Sequence, residues 1–236
     1  MKVVILAGGR GTRYDTDKPK YLASIGGKPL IQHLIDIYVK QGYDEIILCL
    51  GWKKEETINY FTKSDNNCTI TFIDTGLNNN TAKRLKCVER YIEDDAFMLN
   101  YADGLANVNL MKLEARHLTN RNVCTLTAVR PYNQFGTLKF NSDGNVIEFE
   151  EKPLMKSYIN GGFFICNKKI FDWIDENKNQ ELEKDILVEL AKNNQLGAYK
   201  HEGYWETLNT VKDELRISNL YHERIANCEV LDWLMI

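Results

Sequence analysis

Apolar runs alternate with amphipathic segments through the first half of the chain. The runs VVILA, EIILCLG and TITFID are separated by PLIQHLIDIYVKQG, whose apolar residues recur at helical spacing, and by the polar-flanked TINYF. This strand and helix alternation predicts a largely parallel sheet with helices on both faces. The expected fold class is therefore α/β, with a Rossmann-like, mostly parallel sheet.

The alternation continues to about residue 130 and then changes character. The pattern predicts a helix over residues 81–91, the strand AFMLNYADG ending at Asp103, a helix over residues 109–118 and the core strand VCTLTAV. From Gly136, TLKFNSDGNVIEFEEKP predicts two short strands around an Asp143-Gly144 turn. We expect this small antiparallel β insertion to cover one side of the main sheet.

The C-terminal part returns to the first pattern. INGGFFICNKKIFDWI predicts a core strand and a helix, followed by a helix over residues 182–192, the strand LGAYKHEG and a helix over residues 211–224. The apolar tail VLDWLMI is expected to pack on the domain or on a partner. A chain of 236 residues without a long linker or repeat predicts one domain, residues 1–236.

Composition narrows the classes of partner. Hydrophobic residues at 44% and charged residues at 27% are typical of an ordinary globular protein, and a net charge of −3 gives no general attraction for nucleic acid or an anionic membrane. No apolar run approaches the roughly 20 residues that span a bilayer, so we expect a cytoplasmic protein. The six cysteines contain no CxxC pair and are expected to be free thiols.

The first predicted strand leads into a loop with three glycines and two arginines, VVILAGGRGTR at residues 3–13. Glycines let backbone N–H groups approach phosphate oxygens, and open α/β sheets bind ligands where strands end. A Walker loop is excluded because no Gly-Lys-Ser/Thr follows, and the dinucleotide pattern lacks its third glycine. With Lys18 and Lys20 nearby, the loop suits a triphosphate and its leaving pyrophosphate, whereas a solvated basic loop is the alternative.

The order of the motifs resembles the sugar-phosphate nucleotidyltransferases. Their signature is a strand, GGxGTR, a Pro-Lys element and a GGKP-like helix start, matched here at residues 8–13, 19–20 and 26–29. Within that family the chain is most similar to the glucose-1-phosphate cytidylyltransferases. The likeness extends to about Arg216 through DTG at residues 74–76, RLK at 84–86, YADG at 101–104, TLTAV at 125–129, EKP at 151–153, INGGFF at 159–164 and AYKH at 198–201.

The resemblance implies transfer of a nucleotidyl group from CTP to a small phosphorylated acceptor, with Mg²⁺ or Mn²⁺ as cofactor. The implied catalytic residues are Lys20, Arg13 and Asp103. Asp103 is also the expected metal ligand, because a carboxylate at a strand end faces the glycine loop and hard cations take oxygen ligands; an ordinary Asp-Gly turn is the alternative. Asn209 stands where the family has a second metal carboxylate, and is a candidate metal position.

The resemblance also divides the chain into a nucleotide-binding half, about residues 1–130, and an acceptor-binding half, about residues 131–236. The implied nucleotide-binding residues are Leu6, Ala7, Gly8, Gly9, Gly11, Thr12, Arg13, Lys20, Thr81, Ala82, Arg84 and Asp103. The implied acceptor-binding residues are Lys152, Glu151, Asn160 and Gly161. A phosphate monoester is largely dianionic at neutral pH, so the reaction needs no general base.

Four departures from the family pattern concern the acceptor, the metal or the base. These are Asn209, the pair Ala82-Lys83 in place of two glycines, Ala102 in place of a glycine, and a shorter stretch before Asp74. The chain resembles a divergent branch, the cytidylyltransferases of bacterial capsule phosphoramidate modification, in its shortened form and its retained phosphate lysines. That branch uses phosphoglutamine as the acceptor and yields CDP-glutamine. We therefore expect phosphoglutamine as the acceptor in capsule polysaccharide biosynthesis.

Several alternatives stay open at this point. Glucose 1-phosphate or another sugar 1-phosphate is the second acceptor class, and CDP-glucose would then be the product. A non-catalytic nucleotide-binding regulator on the same scaffold is less favoured, because Lys20, Asp103 and Lys152 are all retained. Nucleic acid and membrane are not expected as partners, and a homo-oligomer is compatible with the sequence.

Overall fold

The computed structural model describes residues 1–11, 14, 17–64, 66–227, 229–231 and 233. Strands and helices alternate along these residues. The strands are β1 Val3–Ala7, β2 Ser24–Ile25, β3 Lys28–Pro29, β4 Glu45–Leu50, β5 Thr69–Asp74, β6 Ala96–Tyr101, β7 Gly104–Ala106, β8 Cys124–Val129, β9 Thr137–Phe140, β10 Val146–Glu150, β11 Ile159–Asn160, β12 Phe164–Asn167, β13 Leu196–Lys200 and β14 Trp205–Thr207. The α-helices are α1 Leu30–Lys40, α2 Lys54–Lys63, α3 Thr81–Lys86, α4 Leu110–Asn120, α5 Val188–Lys192 and α6 Val211–Ala226.

In the described part of the chain, eight strands form the main sheet in the order β11-β8-β12-β6-β1-β4-β5, with β13 paired to β8. β1 is parallel to both β4 and β6, and β4 is parallel to β5, whereas β11 and β12 run antiparallel to their neighbours. The predicted mostly parallel sheet is confirmed. From β1 the chain proceeds to β4 and β5 and then returns as β6 on the other side of β1. Open α/β sheets bind ligands at such a switch point, beside the carboxyl ends of the strands.

Both faces of the sheet are covered, as the alternation of apolar runs predicts. Val3, Ile5 and Ala7 of β1 belong to one core cluster, whereas Val4 and Leu6 belong to the other. Successive side chains of a strand point to opposite faces, so β1 is buried on both sides. Helix α1 packs on the first face through apolar residues at helical spacing, and α3 packs on the second.

Three of the predicted helices differ from expectation in their hydrogen-bonding pattern. The helix expected over residues 81–91 ends at Lys86, and Glu89–Tyr91 form a separate 3₁₀ turn. The helix expected after the strand in INGGFFICNKKIFDWI is the 3₁₀ helix Lys168–Trp173. The helix expected over residues 182–192 begins with the π-helical segment Leu182–Leu187 and becomes α-helical only in α5. Over one or two turns, the apolar periodicity does not distinguish a π-helix or 3₁₀ helix from an α-helix, and this ambiguity explains the three differences.

The predicted hairpin around Asp143-Gly144 is confirmed as β9 and β10. The expectation that it covers one side of the main sheet is wrong. The two strands form their own two-stranded sheet, and every residue in them is exposed, including Phe140, Ile147 and Phe149. Alternation of apolar and polar residues determines which side chains share a face of a strand, but it does not determine what that face packs against.

The described cysteines are free, as predicted; Cys228 lies outside the described residues. Cys124 of β8 and Cys166 of β12 are fully buried, with their Sγ atoms 3.6 Å apart. Trp233, from the apolar tail, is also fully buried and packs edge-on against His33, so at this residue the tail packs on the domain. Among the described helices, none has the length and apolar character needed to cross a bilayer.

Three histidines lie in the interior of the protein. His33 Nε2 is 2.9 Å from the Ile25 carbonyl, His117 Nδ1 is 2.9 Å from the Thr125 hydroxyl, and His201 Nε2 is 3.0 Å from the Tyr204 carbonyl. Burial lowers the pKa of all three imidazoles below the ordinary value. The folded protein therefore holds these side chains neutral at a pH where the unfolded chain begins to protonate them.

The free energy of unfolding should fall as the pH decreases from about 6.5 toward 5, because unfolded histidines take up protons near pH 6.5 that the buried ones do not. Above about pH 7 both states are neutral at these sites, and this contribution to the pH dependence disappears. Urea unfolding at pH 7.5, 6.5 and 5.5 measures the effect. His117→Asn, which retains a donor near Thr125, should have a weaker dependence over this range. An equal slope of the unfolding free energy against pH in the wild-type protein and in His117→Asn would contradict this role of His117.

Candidate active site

A cleft of about 360 Å³ opens where β1 and β6 end. The glycine loop after β1 forms one wall, and residues 101–103 at the end of β6 form another. In the parallel pairing of these strands Leu6 lies opposite Tyr101, so the residues that follow each strand emerge side by side. The cleft therefore lies at the switch point of the sheet.

The predicted catalytic residues Lys20 and Asp103 meet in this cleft. The Lys20 ammonium forms a salt bridge with the Asp103 carboxylate, and its Nζ atom is 3.5 Å from Asn209 Oδ1. Lys20 begins a 3₁₀ turn after Pro19, and its aliphatic stem packs close to Gly11, where an added Cβ would lie 3.4 Å from it. The segment therefore directs a cation toward the edge of the glycine loop.

Pairing of β14 with β7 brings Asn209 to the same place. Thr207 lies opposite Gly104, and the backbone N–H of Leu208 donates to the Asp103 carbonyl at 2.9 Å. Asn209 then precedes α6, whose first turn is closed by a capping box between Thr210 and Asp213. Residues about 100 positions apart in the chain therefore present a carboxylate and an amide oxygen to one point.

The side chain of Arg84 packs against Gly8 at the start of the glycine loop. Its guanidinium is buried and donates to the Thr75 hydroxyl at 2.8 Å and to the Gly76 carbonyl at 2.7 Å. Burial lowers the pKa of Arg84 from its ordinary value. A Cβ added to Gly8 would lie 2.0 Å from Arg84 Nη1, so only glycine fits between the guanidinium and the cleft. Arg84 thus holds the turn at Thr75 and Gly76 and limits which residue can begin the loop.

A further part of the cleft lining comes from two segments joined by hydrogen bonds. The Thr81 hydroxyl donates to Glu183 Oε2 at 2.8 Å and accepts from the backbone N–H of Leu182 at 2.7 Å. The backbone N–H of Asn80 donates to Asn179 Oδ1 at 2.7 Å. The start of α3 and the start of the π-helical segment are therefore attached to each other, and Glu183 lies at the cleft.

Most of the predicted nucleotide-binding residues line the cleft. Thr12 and Arg13 lie outside the described residues. Ala82 differs from expectation, because its position on α3 faces the core and its side chain is fully buried with Leu85. The predicted residues that line the cleft are Leu6, Ala7, Gly8, Gly9, Gly11, Lys20, Thr81, Arg84 and Asp103.

The predicted acceptor residues do not line this cleft. Lys152 and Glu151 lie on the surface just after β10, with their charged groups 3.7 Å apart. Asn160 is adjacent to the cleft, since its Nδ2 donates to the Tyr101 hydroxyl at 3.4 Å. The Gly161 carbonyl accepts from Trp205 Nε1 at 2.8 Å, which connects the segment to β14. The structure therefore brings Asn160 into contact with a residue of the cleft, whereas Gly161, Lys152 and Glu151 are not part of the cleft lining.

Other residues of the cleft were not anticipated from the sequence. Glu181 and Glu183 come from the predicted acceptor half, in a segment with no glycine or phosphate-binding motif. A helix in which two carboxylates precede an apolar face is typical of any surface helix, so the pattern held no specific signal. The remaining members are Tyr21, Asn79, Asn80, Tyr101 and Ala102.

The described residues contain no cluster of three or more histidine, cysteine or acidic side chains suited to a metal ion. The cleft instead combines glycine backbone, the half-buried cation of Lys20, the buried guanidinium of Arg84 and the carboxylates of Asp103, Glu181 and Glu183. It also lacks a histidine in its lining, which excludes an imidazole base among the described residues. This arrangement is suited to binding and polarising phosphate groups rather than to proton abstraction.

Comparison with known proteins identifies the family. The model of the nucleotidyl transferase family matches residues 2–224. A Bacillus subtilis protein described as a probable glucose-1-phosphate cytidylyltransferase is 38% identical over 94% of this chain and 97% of its own length, and the glucose-1-phosphate cytidylyltransferase of Salmonella typhimurium is 35% identical over 94% and 96%. The crystal structure of HddC from Yersinia pseudotuberculosis complexed with GMP-PN superposes with a TM-score of 0.73 at 26% identity, covering 92% of this chain and 98% of that one. The chain belongs to the nucleotidyl transferase family.

Proposed function

We propose that the protein is a cytidylyltransferase, which transfers CMP from CTP to the phosphate of a small phosphorylated metabolite and releases pyrophosphate. The observation that carries the proposal is the meeting of Lys20 and Asp103 beside the glycine loop, at the switch point of the sheet. The two cytidylyltransferase relatives cover almost the whole chain and support CTP as the donor.

The chemistry suits the groups present. An oxygen of the acceptor phosphate attacks the α-phosphorus of CTP, a new P–O bond forms, and the bond to the β-phosphate oxygen breaks as pyrophosphate leaves. The attacking phosphate is already largely dianionic, so catalysis consists of positioning and charge stabilisation. Backbone N–H groups of Gly9 and Gly11 would hold the triphosphate. Lys20 would stabilise the charge that develops at the α-phosphate.

The same site fits a divalent cation such as Mg²⁺. Asp103 and Asn209 both present oxygens to Lys20 Nζ, so a carboxylate and an amide oxygen converge where a hard cation would find two protein ligands. Phosphate oxygens and water would complete the coordination. The ion would supply charge neutralisation for the triphosphate, and Lys20 would move from Asp103 toward the α-phosphate.

The comparisons support a sugar 1-phosphate as the acceptor more strongly than phosphoglutamine, because both cytidylyltransferase relatives are described as acting on glucose 1-phosphate. We therefore propose glucose 1-phosphate, or a related sugar 1-phosphate, as the first acceptor. Phosphoglutamine is the second candidate, favoured by the neutral Asn209 and the other departures from the family pattern. Lys152 would bind the acceptor phosphate. Its backbone is in the left-handed region, with a φ of 48°, a conformation that is uncommon for a residue other than glycine.

Pyrophosphate should be released when the protein is incubated with CTP, Mg²⁺ and the correct acceptor. A coupled pyrophosphate assay over glucose 1-phosphate, other sugar 1-phosphates and phosphoglutamine identifies that acceptor. Reactions without acceptor and with UTP, GTP or ATP serve as controls. Tight binding of CTP without turnover of any acceptor would instead indicate a nucleotide-binding regulator.

Lys20→Ala should lower kcat by about 10²–10³-fold, the range lost when one donor to transition-state charge is removed.

Lys152→Ala should raise KM for the acceptor about tenfold and leave KM for CTP unchanged, because it removes binding that is equal in ground and transition states. Steady-state kinetics with each substrate varied in turn measures both. Lys139→Ala is the matched control, since Lys139 and Lys152 are 57% and 58% exposed on the same hairpin region. Equal effects of the Lys20 and Lys152 variants on CTP binding would contradict the assignment of Lys20 to CTP and Lys152 to the acceptor.

A further inference from the structure

We propose that Glu183 selects the nucleobase by accepting a hydrogen bond from its exocyclic amino group. This inference rests on the proposed use of CTP and extends it, because it names the residue that distinguishes cytosine from uracil. The argument depends on where Glu183 lies, on which charges surround it, and on how many hydrogen bonds its oxygens have already accepted.

Glu183 lines the same cleft as Lys20 and Asp103 but comes from a different segment of its lining. Lys20 and Asp103 pair with each other next to Gly11. Glu183 instead accepts a hydrogen bond from Thr81, where α3 and the π-helical segment are attached to each other. With the phosphates on the glycine loop beside Lys20, we place the base of the nucleotide against Thr81 and Glu183.

Within the part of the chain that the structure describes, no cation forms a salt bridge with the Glu183 carboxylate. Its hydrogen-bond partner is the neutral hydroxyl of Thr81. Among the salt bridges of the described residues, Lys184 pairs with Glu181 and none involves Glu183. A carboxylate in a cleft that binds a triphosphate is unfavourable, because the two negative charges repel each other. The carboxylate is favourable only if it accepts a hydrogen bond from the uncharged part of the ligand.

The Thr81 hydroxyl is committed as a donor to Glu183. The Thr81 oxygen already accepts from the Leu182 N–H, so its hydrogen is directed to Glu183. Burial, together with the negative charge of Glu183, raises the pKa of Tyr101, so this neighbouring phenol stays neutral. A carboxylate has about four acceptor positions. The single donor from Thr81 therefore leaves capacity for a ligand N–H.

This residual capacity favours one class of base. A carboxylate accepts hydrogen bonds and cannot donate them, so it suits the 4-amino group of cytosine and repels the 4-carbonyl oxygen of uracil or thymine. A site built to bond a polar group can reject an analogue that lacks it by several orders of magnitude. The amino groups of adenine and guanine belong to the same chemical class, so the experiment includes them.

Glu183→Gln tests the proposal with the chain otherwise intact. Glutamine keeps the length of the side chain and one accepting oxygen, but removes the charge and adds a donor. We expect kcat/KM for CTP to fall at least tenfold while that for UTP is unchanged or rises, so that the CTP to UTP ratio falls at least tenfold. Calorimetric binding of CTP and UTP without acceptor should change in the same direction.

Glu181→Gln is the matched control. Glu181 lines the same cleft two residues away, but both of its oxygens contact Lys184, at 3.0 and 2.9 Å. We expect this variant to retain the wild-type CTP to UTP ratio. A circular dichroism melt of both variants verifies that they are folded. An equal fall in kcat/KM for CTP and UTP in Glu183→Gln would mean that Glu183 only supports the structure, and this result would overturn the proposal.

The wild-type protein separates this inference from the proposed function. Preference for GTP or ATP over CTP would overturn the assignment of CTP, while Glu183→Gln would still be expected to weaken the preferred amino-bearing nucleotide selectively. Preference of the wild type for UTP or dTTP would overturn the role of Glu183 as well. Strong preference for CTP that is unchanged in Glu183→Gln would support the proposed function and refute the inference.

Discussion

The parallel pairing of β1 with β6 is the constraint on which the candidate site depends. Because Leu6 lies opposite Tyr101, the glycine loop and Asp103 leave the sheet at the same edge, and Lys20 can reach the carboxylate. Both strands are buried by helices on both faces, so their ends have little freedom to separate. A shift of one residue in this register would turn alternate side chains to the wrong face and separate the loop from Asp103.

Charges are distributed along the cleft in a way that matches a nucleotide. The phosphate end has Lys20 in reach and Arg84 buried beneath the loop, where its hydrogen bonds to Thr75 and Gly76 keep it in place. The lining contributed by the π-helical segment and the residue before it has the carboxylates of Glu183 and Glu181. An anionic triphosphate and a base that donates hydrogen bonds would each meet complementary groups, so the same electrostatic pattern that binds the ligand also orients it.

Much of this could be predicted from the sequence, because local patterns decide it. The alternation of apolar runs predicts the sheet and the helices on both faces, and the glycine loop with Lys20 and Asp103 predicts the phosphate end of the cleft. The position of the hairpin could not be predicted, since its alternating strands do not specify a partner. The place of Glu183 in the cleft could not be predicted either, because it depends on the contact with Thr81, about 100 residues earlier, and not on its neighbours in the chain.

The attachment of Thr81 and Asn80 to the segment before α5 also affects how the molecule folds. These hydrogen bonds join residues 99 and 102 positions apart, so a long loop must close before either segment is held in place. Closing a loop of this length costs conformational entropy that the contacts between the two segments must offset. A bound nucleotide that contacts both segments would add to those contacts, so ligand binding would stabilise the attachment of α3 to the π-helical segment.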